Sequence, residues 1–268
     1  MYKNSGRCLD EYMVNDDDAS QYLRECAIAA LIIVGAYTLF ITELISSLIL
    51  FIIVAVTLPR WIINVHELLH AKSSEQINGI IRCLGISPVP LSIFTLSYQQ
   101  IHEIHLAHHR HAATESDPDA YHIRGNLFLI ILNSLTTPEQ SFLRWVKING
   151  FSPQLGIDLL IKLLFLVILA LLGGKKFLFF LLFIRIVYGL GDLVFFRLVH
   201  HQKGEYGTFE MKLPSIITTW GERIFGRTVI QATINHDVHH QNPRIAAHNL
   251  AKVREHIMVS CCSRSSSG

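Results

Sequence analysis

Five cysteines in 268 residues is a sparse supply, and none of Cys8, Cys26, Cys83, Cys261 and Cys262 forms a CxxC pair. An odd, scattered set in a long chain builds no disulfide framework. Charge is scarce as well. Only 16% of residues are charged, whereas an ordinary soluble domain carries about 25%. The 23 Lys and Arg against 21 Asp and Glu leave a net charge of +2. With no basic stripe there is no electrostatic footprint for nucleic acid, which is excluded as a partner. Residues 1–25 are polar and include the acidic run Asp16-Asp17-Asp18. No basic stretch lies close before the first apolar run and no small-residue cleavage pattern follows it, which argues against a cleaved signal peptide. Low-complexity sequence is confined to the Ser-rich end. Its Cys261-Cys262 pair is a possible acylation site, but residues 257–268 read more simply as a disordered Ser/Cys tail.

What the chain has in quantity is hydrocarbon, at 50% of its residues. From Cys26 to Leu58 the sequence is almost continuously apolar, too long for one span of ~20 residues. It reads as two arms, 26–42 and 44–65, with a bend near Pro59 and Arg60 reaching for the surface. A second pair follows at 155–172 and 177–199, turning at the "GGKK" of 173–176. Lys162, Arg185 and Asp192 interrupt this pair, and charges at such depth normally face a bundle interior or a polar cavity. Residues 86–98, broken by Pro88 and Pro90, are expected to lie in the interface without spanning. The expected fold is all-α and integral to the membrane. Four transmembrane helices form two hairpins, and 26–256 is a single domain with a helical cap. Most Lys and Arg fall on the cap side, which places the cap in the cytoplasm by the positive-inside rule; Lys175 and Lys176 argue the other way.

Histidine is the second abundance. "HELLH" holds His66 and His70, "HLAHH" holds His105, His108 and His109, and "HDVHH" holds His236, His239 and His240. Positions three and four apart share one helix face, so each set can present several imidazoles to one side, and an HxxHH set can serve two ions. His200-His201 adds a further pair at the end of the last apolar run. Imidazoles fill hydrocarbon cores poorly, and buried polar groups without partners cost free energy, so three such sets point to metal. Imidazole suits Zn, Cu, Fe and Ni. Eight or nine ligands are too many for one ion and suit two, and two redox ions beside a hydrocarbon reservoir favour iron and oxygen chemistry. His122, His248 and His256 read as ordinary hydrogen-bonded residues. Two other readings stay open. "HELLH" fits the HExxH zinc-protease pattern, with Glu67 as general base. Alternatively, the chain is a non-catalytic membrane metal-binding protein.

The ordered set of three boxes, the "ESDPD" of 115–119 and the ending "NHDVHHQNPRIAAHNL" (235–250) resemble the membrane-bound fatty acid desaturase superfamily, over about residues 26–253. That superfamily includes alkane hydroxylases and carotenoid ketolases. The resemblance implies a non-haem di-iron oxidoreductase that uses O₂ and two electrons to desaturate a fatty acyl or related lipid chain, or alternatively to hydroxylate or ketolate one. It implies metal ligation by His66, His70, His105, His108, His109, His236, His239 and His240, with a further ligand from His200 or His201. His102, His111, Asp117, Asp119 and Asp237 would orient these ligands through hydrogen bonds. "HELLH" is closer to the alkane-hydroxylase style of first box. The sequence contains no HPGG-like haem segment, so electrons are expected from a separate ferredoxin or cytochrome b5-type donor.

Overall fold

Asn15 begins the first helix. Its side chain accepts the Asp18 amide (2.9 Å) while the Asp18 carboxylate accepts the Asn15 amide (3.1 Å), a reciprocal cap. Asp16, Asp17 and Asp18 then complement the positive end of the helix dipole. Helix α1 therefore runs Asp16–Ile41, starting well before the apolar run itself. In the computed structural model, residues 9–71, 94 and 96–256 are described. The tail at 257–268 and most of the segment expected at the interface lie outside them.

Residues 42–46 turn the chain, with Glu43 at φ 66°, and Ser46 caps α2 (Ser47–His70). Pro59 sits inside α2 without ending it, so the "HELLH" residues ride on the last turn of the same helix. Later, Ser152 caps α7 (Pro153–Gly173). Gly174, at φ 51°, makes the reversal into α8 (Lys175–Asp192). These four helices, the last continued to Leu198, are long and apolar enough to cross a bilayer. Their shared core is built from Ile33, Tyr37, Leu50, Val54, Phe180 and Ile184. Tyr37 stacks on Phe180 (4.4 Å between ring centroids) and its hydroxyl donates to the Leu169 carbonyl (2.6 Å). The Lys176 ammonium bonds both the Ile41 carbonyl (3.1 Å) and the Glu43 carboxylate (2.9 Å), which sets the two turns side by side.

The other elements gather at the opposite end of α2 and α8. They are α3 (Tyr98–His111), α4 (Ala120–Ile123), α5 (Leu127–Leu135) and α6 (Thr137–Asn149), then, after α8, strands β1 (His201–Gln202) and β2 (Glu205–Tyr206), and finally α9 (Ser215–Phe225), α10 (Arg227–Ile234) and α11 (His236–Gln241). The last part of the chain that leads into β1 is a π-helical segment, Leu193–Leu198. Residues 12–14 are paired with a distant part of the chain. The Val14 amide donates to the Arg244 carbonyl (2.8 Å) and the Ala246 amide to the Tyr12 carbonyl (2.9 Å), clasping this short stretch before α1 to the one after "HDVHH". Two of the charges that interrupt the apolar runs point inward to partners, Arg185 to Glu139 and Asp192 to His122. Lys162 is half-buried.

Candidate metal centre

Each histidine set occupies a helix that holds it rigid. His66 and His70 lie one turn apart at the end of α2, their rings 5.1 Å apart. Ser97 and Gln100 cap α3 reciprocally, and His105, His108 and His109 follow on that helix. The π-helical segment widens the turn before His200, and single π-turns of this kind often mark functional sites. Helix α11 is barely longer than its own motif and carries His236, His239 and His240.

Distant in sequence, these imidazoles meet in two groups. His66, His70, His105, His109 and His239 form one; His108, His200, His236 and His240 form the other. Within each group the nearest ring nitrogens all lie within 4.8 Å of one another. The doublets explain how one helix serves both. His108 and His109 go to different groups, as do His239 and His240, and the rings of His109 and His240 stack across the boundary at 4.1 Å. Nitrogen meets nitrogen at the centres. His70 Nε2 is 2.7 Å from His105 Nε2, which is 3.1 Å from His109 Nε2. His240 Nε2 is 3.2 Å from His200 Nε2 and 3.0 Å from His236 Nε2. The buried Nε2 atoms of His66 and His239 have no hydrogen-bond partner. So many converging lone pairs cannot satisfy each other with protons, since each N···N contact needs a donor. A cation in each group would satisfy them together, and the donor set fits a metal that favours imidazole.

Electrostatics agrees. Burial, and then the neighbouring imidazoles, push His105, His236, His239 and His240 well below the usual histidine range. The same causes bring His109 to about 2 and His200 to about 3. Neutral imidazole is the form that binds metal.

Around the groups, hydrogen bonds to Nδ1 aim the rings. Glu67, fully buried, holds His66 Nδ1 at 3.0 Å. Asp117 holds His108 Nδ1 at 2.9 Å while accepting the amides of Ala113 (2.7 Å) and Asp119 (2.8 Å). His200 Nδ1 donates to the Phe196 carbonyl (2.8 Å). Asp119 is more distant, 3.9 Å from His108 Nδ1. Asp237 instead pairs with Arg254. His102 lies beside Tyr98 and His111 is exposed, and neither is a member of either group. His201 is also outside both groups: it sits on β1 with its ring 4.7 Å from Tyr206, because the strand turns its side chain away from His200's. Among the residues read as ordinary, His248 is 3.8 Å from Asp18 and His256 lies near Tyr12. His122 is different. It is fully buried, with Nδ1 2.7 Å from Asp192 and Nε2 3.6 Å from Asp119, between the rings of Tyr121 and Phe196. Burial alone would depress it, but the two carboxylates raise it to about 10. Nothing in the local sequence separates this lone histidine from a surface one.

A cavity of 110 Å³ reaches the five-histidine group at His66 and His105. Ile62, Ile63, Leu69, Ile104 and Phe195 make most of its wall apolar, and Asp119, His122 and Thr137 give it one polar side.

No curated protein and no solved structure matches the chain. A family model described as "Fatty acid desaturase" matches residues 44–264. That range takes in every histidine of both groups and both sides of the cavity. On that match, which the convergence of the three boxes accompanies, the chain belongs to the fatty acid desaturase family.

Proposed function

We propose that the chain is a membrane di-iron oxidoreductase that desaturates a fatty acyl or related lipid chain. The observation that carries this reading is the meeting of all three histidine sets in two imidazole groups, one of which lines an apolar cavity at His66 and His105. His66, His70, His105, His109 and His239 hold one iron; His108, His200, His236 and His240 hold the other. When bound, the metal pair supplies activation of O₂ with two external electrons, so that two hydrogens leave the chain and, with two protons, two waters form. The protein's own residues do the rest. Ile62, Ile63, Ile104 and Phe195 hold an apolar chain beside His66 and His105 and keep water out of the cavity. Glu67 and Asp117 fix the imidazoles they bond, as such partners do in metal sites generally. With Oε1 bonded to His66 Nδ1, Glu67 is placed to orient that ligand.

The four long helices make two membrane hairpins. The Lys176 bridge supports this by placing their turns at the same end. The remaining elements form a cap on the cytoplasmic side, where a ferredoxin or cytochrome b5-type donor delivers electrons. Hydroxylation on the same site differs in the fate of the substrate carbon after the first hydrogen leaves, with one oxygen of O₂ entering the product and the other leaving as water; ketolation is two such hydroxylations at one carbon followed by loss of water. The decisive experiment is expression in a host with a native donor, with metal analysis of the purified protein and mass spectrometry of total lipids. The reading expects about two irons per chain and a product lighter by two hydrogens. A product heavier by one oxygen supports the hydroxylase, and a single zinc with no lipid product overturns both.

A further inference from the structure

Two short helices outside the four long ones turn their apolar faces outward. On α9, Ile216, Ile217, Trp220 and Ile224 are 66%, 52%, 55% and 42% exposed, and no residue of that helix is buried. Their spacing puts all four on one face. On another, Glu222 accepts a hydrogen bond from Gln231 of α10 (2.6 Å). On α5, Leu127, Phe128, Leu129, Ile131 and Leu132 are exposed, with Phe128 at 73%. Patches of this kind facing water cost free energy unless something covers them.

Their height in the bundle says what covers them. Helix α9 is tied to α2 by Arg60, whose guanidinium donates to the Ile224 carbonyl (2.7 Å) at the carbonyl-rich end of α9. Helix α5 is seated on α8 so closely that a side chain at Gly189 would collide with Leu135. At 1.5 Å per residue, Arg60 lies about 20 Å along α2 from Ser47 and Gly189 about 21 Å along α8 from Lys175. The two starting points adjoin, because Lys176 bridges the turns. Both short helices therefore sit at one level, and ~20 Å falls short of the ~30 Å of a hydrocarbon core.

We propose that α5 and α9 lie flat within a single leaflet, their exposed faces buried in lipid acyl chains, so that the histidine cap is sunk into the membrane and not perched above it. Helix α7, read as a span, exposes Leu160, Ile161 and Leu164 to a similar degree. Trp220 with Arg223 folded over its ring (5.3 Å) suits the boundary between acyl chains and headgroups. The inference rests on the reading of the four long helices as spans, and its test separates the two.

The test uses full-length protein in phosphatidylcholine vesicles, with Trp61 and Trp145 replaced by Phe so that Trp220 reports alone. A companion variant lacks all three tryptophans and carries Leu164→Trp on α7 as a span reporter. Lipid brominated at the 6,7 positions of its acyl chain should quench Trp220 about twofold or more, with little quenching by aqueous iodide. Iodide quenching without bromine quenching at Trp220, while the Leu164→Trp reporter is bromine-quenched, overturns the inference and leaves the spans standing. If neither reporter is bromine-quenched, the span reading fails with it. Ile217→Trp in the tryptophan-free background repeats the measurement should Trp220 alone prove unrepresentative of the face; the same two results decide it.

Discussion

Replacing His122 by Phe tests the polar side of the cavity directly. The ring would keep its place between Tyr121 and Phe196, so the shape is largely preserved. The carboxylate of Asp192, 2% exposed, would lose the partner 2.7 Å away. Removing one member of a buried ion pair costs about 3–5 kcal/mol. The histidine's own displacement gives an independent ceiling: it is raised from 6.5 to about 10, which corresponds to about 5 kcal/mol. The sign follows from linkage. A base raised on folding contributes its stability fully below its unfolded value, here pH 6.5, and loses it as pH rises through about 10. In detergent micelles, the denaturation midpoint of the wild type should therefore fall between pH 6.5 and 10. His122→Phe should be less stable at pH 6.5 and flatter across that window. Adding Asp192→Leu to His122→Phe should restore more than half of the loss, because the orphaned charge is gone. Activity should fall as well, since Asp192 leads directly into the π-helical segment that carries Phe196 toward His200. If His122→Phe is as stable as the wild type, or if the two substitutions add independently, the pairing argument is wrong.

His200→Ala should remove about one of two metals per chain and abolish turnover, whereas His201→Ala should change metal content and rate less than about twofold; equal effects in metal analysis would contradict the separation of these neighbours. Asp117→Asn keeps the shape but weakens the hold on His108 Nδ1, and a loss of about 10–100-fold in affinity for one metal of the two is expected by titration with cobalt. An unchanged cobalt titration would show that Asp117 serves only the turn. Gly173→Ala places a methyl group against the Tyr37 hydroxyl and should displace it from the Leu169 carbonyl, lowering stability by about 1–3 kcal/mol in the same denaturation assay with iron content retained.

The long apolar runs were legible because hydrocarbon length is a local property: four stretches of the required length are visible without any contact between them. Their ends were less so. Asn15 and Asp18 extend α1 into polar sequence by capping it, and α2 continues past Pro59 to His70, where Val65 and Leu68 pack against Ala19 and Tyr22 of α1. The nine-residue run of α5 was not identifiable as a membrane element. It is too short to span, and only its seat on Gly189 fixes its level. The π-helical register between Asp192 and His200 leaves no mark in composition at all.

The histidine spacing by itself determined that imidazoles would be presented in sets, because three- and four-residue intervals fix a helix face wherever that helix goes. Which set meets which was decided by the tertiary structure. It split His108 from His109 and His239 from His240 between two groups, placed His200 but not His201 in one of them, and enclosed His122 between Asp119 and Asp192. Spacing constrains direction along one helix, whereas a metal site or a buried ion pair is a distance between helices, and only packing sets that.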